Sequence, residues 1–166
     1  PETAFVQGGM AAYGGIWGAY LPVLHALRDS IASLHVQLYN SGSMPGINGY
    51  YYNQGTADFL VSMTEAVIQG FDTPGGFFAG FPASKVSVGL PACQNAAGGG
   101  YLNNPEIKQA IDYLRGEGSK PGSYTLVQTS GYPELKGMMT WSINWDAVAT
   151  CGAVYNFANG FSLIFD

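Results

Sequence analysis

Between Leu34 and Tyr39 the chain alternates one by one: Leu34, Val36 and Leu38 against His35, Gln37 and Tyr39. Successive side chains of a strand point to opposite faces, so this run predicts a strand with one aliphatic face and one hydrogen-bonding, aromatic face. A second run, Gly137-Met138-Met139-Thr140-Trp141-Ser142-Ile143-Asn144-Trp145-Asp146, ends in the same kind of residue. A strand covered on both sides is usually aliphatic on both. Gln37 does not suit such a place, because a buried amide without partners costs about 1–3 kcal/mol. The polar face therefore points to a wet, ligand-binding hollow.

Three apolar runs read as strands: Leu34–Tyr39, Val86–Leu90 and Met138–Ser142. Helical periodicity lies between them. From Thr56 to Gly70, Leu60, Met63 and Val67 recur at i, i+3 and i+7, and Phe59 and Ala66 widen the stripe. From Pro105 to Leu114, Ile107, Ala110, Ile111 and Leu114 form a second stripe; Asn104 reads as its N-cap and Gly116 as its stop. A shorter helix is expected over Leu21–Asp29 and a last one over Ala147–Tyr155, with Asp146 as a possible cap. The tail Phe161–Phe165 reads equally as helix end or strand. Helices alternating with strands predict a parallel sheet with helices outside it. Tyr39 to Leu90 and Leu90 to Trp141 are equal intervals of 51 residues, as repeated βα units would give. The intervening loops, Ser41–Gly55, Pro91–Tyr101 and Trp145–Gly152, are rich in Gly, Asn and Tyr.

Three strands do not close a barrel, which takes about 250 residues. Either the chain is a small open α/β domain or it is the C-terminal part of a larger (β/α)8 barrel; an inward Gln37 and Tyr39 favour the second. Its 166 residues suffice for one domain with a core, and 10% charged against 47% hydrophobic residues describes a folded chain. Six Lys and Arg in total, unclustered, and a net charge of −5 argue against a nucleic-acid partner. No stretch suits a membrane span. The start at Pro1-Glu2-Thr3, without an initiator Met or a leader, reads as a cut or processed polypeptide. Cys93 and Cys151 show no metal-ligand spacing; they are either two buried thiols or a disulfide, which would favour an exported protein. No metal or cofactor is expected. Gly98-Gly99-Gly100 is no phosphate loop, since no Lys follows in register, and reads as a flexible rim. His25 reads as a surface residue and His35 as a core histidine deep in its strand.

Tyr and Trp beside Gln and Asn is chemistry that suits a sugar. Flat rings cover apolar C–H faces while amides meet hydroxyls. In order and spacing the chain resembles the C-terminal part of a glycoside hydrolase family 18 chitinase. Gln37-Leu38-Tyr39-Asn40 resembles the family's sixth barrel strand, Val88-Gly89-Leu90-Pro91-Ala92 its seventh, and Gly137-Met138-Met139-Thr140-Trp141-Ser142 its eighth. Pro1-Glu2-Thr3 resembles the segment just after the fifth. The family's acid motif, Asp-x-x-Asp-x-Asp-x-Glu on the fourth strand, is absent from these residues. The chain is thus expected to contribute part of a cleft without the proton donor, and to be inactive alone.

The resemblance implies hydrolysis of β-1,4-linked N-acetylglucosamine in chitin by a substrate-assisted, retaining mechanism, with endo action favoured over exo. It implies that Tyr39 holds the attacking acetamido carbonyl through its hydroxyl, that Gln37 bonds the same group, and that Trp141 lies under the distorted ring. Asn40 would support the loop or touch the sugar, and Glu2 would stand at the cleft end of a strand. Trp145 and Asp146 would line the rim or merely start the last helix. The expected partners are chitin or chito-oligosaccharide and the remainder of the barrel, with no nucleic acid and no membrane, and the expected location is extracellular. A non-catalytic chitin-binding, chitinase-like protein is the alternative; a small α/β domain unrelated to sugars is a third reading.

Overall fold

The computed structural model describes residues 20–73, 76–148 and 152–165. In chain order the elements are α1 (Leu21–Ala26), β1 (Leu34–Gln37), β2 (Ser43–Pro45), β3 (Tyr51–Asn53), α2 (Ala57–Gln69), β4 (Phe71–Thr73), β5 (Gly76–Phe78), β6 (Val86–Pro91), α3 (Asn104–Arg115), β7 (Gly137–Trp141), α4 (Ile143–Asp146) and α5 (Asn156–Phe165). β1, β6 and β7 form a parallel sheet in that order, so both β1 and β7 are edges among the described strands. β2 with β3 and β4 with β5 form two small antiparallel pairs, the first within the Ser41–Gly55 stretch expected to be loop.

Register decides the faces of the sheet. Leu34 pairs with Val86, Val36 with Val88, and Val88 with Met138, so one face is aliphatic. It packs with α2 and α3 into a single core: Val86, Val88, Leu90, Leu60, Ala110, Ile111 and Leu114 are all buried. Each such Val, Leu or Ile side chain stabilises by about 1.5–3 kcal/mol. His35, Gln37, Ser87, Gly89, Gly137 and Met139 share the other face. That face has no helix layer among the described residues, and His35 and Gln37 are exposed on it. The core reading of His35 is thereby corrected: its strand position is on the uncovered side. His25 is half-buried rather than a free surface residue.

The helix punctuation is largely as read, with two shifts. Thr56 caps α2 by accepting from the Phe59 amide at 3.2 Å, and Gly70 ends the helix at φ 85°. α3 is capped by Asn103, not Asn104: Asn103 and Glu106 form a reciprocal capping box, and Gly116 closes the helix in the left-handed region. Asn104 is instead the first helical residue and donates its side-chain amide to the Asn156 carbonyl at 2.9 Å. The helix expected over Ala147–Tyr155 is the second correction. Residues 147–148 and 152–155 are turn and bend, and α5 starts at Asn156, which also settles the tail as helix. Asp146 explains the shift. Its buried carboxylate accepts from the Phe157 and Ala158 amides at 2.7 and 3.1 Å, so it caps α5 from eleven residues away.

α2 is buried all round from Phe59 to Glu65, because residues 116–136, which form neither helix nor strand, cross its outer side. Two α2 carboxylates hold that crossing. Asp58 accepts from the Ser123 and Tyr124 amides, each at 2.9 Å, and from the Ser123 hydroxyl at 2.7 Å. Glu65, fully buried, accepts from the hydroxyls of Tyr124 and Tyr132, each at 2.6 Å, and from the amides of Val127 and Gln128. Burial and the Glu65 carboxylate push both phenols far above the ordinary tyrosine range, so they remain donors.

Burial alone would raise the Asp58 carboxyl, but the Tyr124 and Ser123 donors and the charge of Lys120 outweigh it and hold its pKa below the ordinary value. A carboxyl depressed on folding stabilises above its unfolded pKa, and that contribution disappears as pH falls through its folded value. Stability is therefore expected to decline below about pH 4, and Asp58→Asn is expected to lower stability at pH 7 while flattening that decline. Denaturation midpoints measured from pH 7 to pH 2 check this; parallel curves for the two proteins would remove Asp58 from the linkage.

Candidate active-site cleft

The row that matters lies at the C-terminal edge of the sheet. Gln37 registers with Gly89, Gly89 with Met139, and two residues on, Pro91 registers with Trp141. The Leu38 amide still donates to the Gly89 carbonyl at 2.9 Å, so the ladder continues past β1. Alternation then puts Tyr39 on the same side as Gln37, level with Pro91 and Trp141. The middle strand supplies Gly89 and Pro91 to this face and nothing long. A Cβ on Gly89 would stand 2.8 Å from Met139 Cε and 2.9 Å from the Val36 carbonyl oxygen, so only a glycine fits between the two flanking strands here.

Each predicted residue among the described ones can be placed. Tyr39 is 7% exposed yet stands outside the hydrophobic core cluster, which argues against a mere core role. Burial pushes its phenol above the ordinary value, so it is a neutral hydrogen-bond donor at any pH near 7. Gln37 donates Nε2 to the Tyr39 carbonyl at 2.8 Å, which fixes the backbone that carries the tyrosine. Trp141 is 53% exposed at the strand end, and its peptide bond to Ser142 is cis. Its indole is half in water, so it is not a core residue. Asn40 is exposed, at φ 55°, and its amide donates to the Gly99 carbonyl at 3.1 Å. Trp145 is partly buried against the core and Asp146 is a cap, so neither lines the cleft through its predicted rim role. Glu2 lies outside the described residues.

The rim was only partly visible in the sequence. Gly98-Gly99-Gly100 packs directly on the end of β1: a Cβ on Gly100, at φ 102°, would fall 2.6 Å from both the Leu38 oxygen and the Tyr39 Cα. Gly99 and Gly100 are there for close approach rather than for looseness. Gln54, which sequence reasoning missed, accepts the Ser41 amide at 2.8 Å and lies under Gly99. Cys93, just beyond β6, is disulfide-bonded; Cys151, the other cysteine of the chain, lies outside the described residues. No group of three or more His, Cys, Asp or Glu that could hold a metal occurs among the described residues. No helix among them is long and apolar enough to cross a membrane.

Comparison with known proteins agrees with this arrangement. No family model matches the chain. Chitinase Chi52 of Paenibacillus xylanexedens and Chitinase D of Niallia circulans are each 52% identical to it over 168 aligned positions, covering 98% of this chain and 32% of each relative. The chain thus spans about a third of the length of these curated relatives. The crystal structure of a family GH18 chitinase from Chromobacterium violaceum superposes with a TM-score of 0.80 at 36% identity, over 98% of this chain and 43% of that one. The resemblance to family 18 chitinases read from the sequence is shown, and the chain has the fold of part of such a protein.

Gly100→Ala is expected to destabilise the protein by roughly 1–3 kcal/mol, through a left-handed backbone angle and a contact that cannot relax without moving Tyr39. Chemical denaturation checks it. A midpoint equal to that of the parent would show that the glycine rim does not bear on β1.

Proposed function

We propose that the protein to which this chain contributes hydrolyses β-1,4-linked N-acetylglucosamine in chitin, and that this chain supplies barrel strands six to eight and one side of the substrate cleft. The observation that carries the reading is the shared row: a buried neutral phenol and a half-exposed indole at the C-terminal edge of a parallel sheet, on the face opposite the aliphatic core. The C-terminal end of such strands is where barrel enzymes work. The names of the relatives favour chitin as substrate and lend no support to the non-catalytic alternative.

In the proposed mechanism a carboxylic acid from the rest of the protein protonates the glycosidic oxygen, and the substrate's own acetamido oxygen attacks the anomeric carbon. The Tyr39 hydroxyl donates to that oxygen, holding it in line for attack and steadying the charge of the cyclic intermediate. Gln37 anchors the Tyr39 carbonyl, Trp141 carries the apolar face of the sugar, and Asn40 holds the rim against the strand. Endo action fits an open row. The remaining strands of the barrel would pair with the edges of β1 and β7 and enclose the face with His35, Gln37 and Met139. The disulfide at Cys93 favours an oxidising, extracellular setting. The upstream sequence discriminates catalyst from binder: an Asp-x-x-Asp-x-Asp-x-Glu run there supports hydrolysis, and a substituted final Glu supports the alternative.

Two substitutions in the full-length protein test the roles. Tyr39→Phe is expected to lower kcat by on the order of a hundredfold with little change in KM; a rise in KM alone would contradict a role in holding the attacking group. Trp141→Ala is expected to lower kcat/KM on soluble chito-oligosaccharides by about 10- to 100-fold. Unchanged kinetics would remove Trp141 from the cleft.

A further inference from the structure

The β2–β3 hairpin carries two large rings that the fold does not use. Tyr50 and Tyr51 are each 72% exposed, whereas their neighbour Tyr52 is buried. Register explains this for Tyr51 and Tyr52, and Tyr50 stands just before β3 begins. Tyr52 lies opposite Met44 on the inner side, while Tyr51 and Asn53 lie opposite Pro45 and Ser43 on the outer side. Tyr50 and Tyr51 form one wall of an open cavity of about 640 Å³, together with Asn48 and Asn53; Ser123 and Thr125 form the other. None of Gln37, Tyr39 and Trp141 lines it.

Both walls are held before anything binds. On the hairpin side, Asn48 donates Nδ2 to the Tyr52 hydroxyl at 2.8 Å and accepts the Tyr50 amide at 3.1 Å. Tyr52 in turn meets Tyr124 edge to face at 5.3 Å. On the other side, Asp58 pins Ser123 and Tyr124 to the start of α2. A ligand arriving here orders only the exposed rings, which lowers the entropic cost of binding. The lining offers ring faces, side-chain amides and hydroxyls. Its one ionised group, Asp58, is already engaged by three donors. That is a surface for a neutral, hydroxyl- and amide-bearing ligand rather than for an anion or a cation.

We propose that the Tyr50–Tyr51 groove is a second saccharide-binding site, which takes N-acetylglucosamine units of a chitin chain beside the cleft. The proposal rests on the chitinase reading and extends it. The hairpin begins four residues beyond Tyr39, so the groove stands at the same end of the sheet as the Tyr39–Trp141 row. There it tethers insoluble substrate without touching the bond that breaks.

The test uses the full-length protein and the double variant Tyr50→Ala/Tyr51→Ala, with adsorption to insoluble chitin and turnover of soluble chitotriose measured side by side. Expected is roughly tenfold weaker adsorption with unchanged kcat/KM on chitotriose. The Tyr50→Phe/Tyr51→Phe pair keeps the rings and is expected to retain adsorption. Unchanged adsorption of the alanine pair overturns the proposal. So does an equal loss of soluble turnover, which would put the rings in the cleft or in the fold, and so does an equal loss in the phenylalanine pair. If the parent protein hydrolyses chitotriose, these outcomes bear on the groove alone. If it neither hydrolyses chitotriose nor adsorbs to chitin, the chitinase reading falls and takes the groove with it.

Discussion

Backbone hydrogen bonds between β1, β6 and β7 determine which side chains share a row, and almost everything else follows from that register. A slip of one residue in β1 would turn Val36 and Leu38 outward and bring Gln37 against α2 and α3. The aliphatic face would then lose its core contacts, and an amide would be buried where no acceptor waits. Because the core enforces the register, Tyr39 and Trp141 end at the same level from strands that flank β6. The cleft is therefore a by-product of packing on the opposite face. Gly89 lets β1 and Met139 of β7 approach the middle strand closely.

A second constraint holds the outside. Residues 116–136 form no regular element, yet they close the core over α2 through Tyr124, Leu126, Tyr132 and Leu135. Chain of that length would be costly to order by apolar contacts alone. Asp58 and Glu65, about two turns apart on one helix, supply acceptors for backbone amides that have no ladder or helix to join. Glu65 is satisfied by two phenols and two amides, so its charge is buried without being left unpaired. The same pinning of Ser123 and Tyr124 shapes one wall of the tyrosine groove, which links the stability of the outer layer to a surface on the rim.

The loops after the strands are tight rather than slack. Gly99 and Gly100 let the β6 loop touch the end of β1, Gln54 ties the hairpin back to Ser41, and Asp146 reaches forward to start α5. Arg115 completes the closure by donating to the Ile164 carbonyl at 3.1 Å near the end of α5. Gly100 in particular packs against the backbone of Tyr39, so the loop after β6 holds that tyrosine from outside the sheet.

The three parallel strands, the two long helices and the shared face of Gln37, Tyr39 and Trp141 were legible in the sequence, because each rests on a period of two or 3.6 residues and on local capping chemistry. The short hairpins, the start of α5 and the nature of the glycine rim were not. Nothing near Ala147 in the chain says that the Asp146 carboxylate will accept from residues 157 and 158, so a local reading began the last helix too early. Likewise, nothing local to Glu65 announces that Tyr124 and Tyr132 will arrive from some sixty residues away to satisfy it. Periodicity records which face a residue is on; only the tertiary structure decides what covers that face, because the partners that satisfy a buried polar group are chosen by contacts distant in sequence.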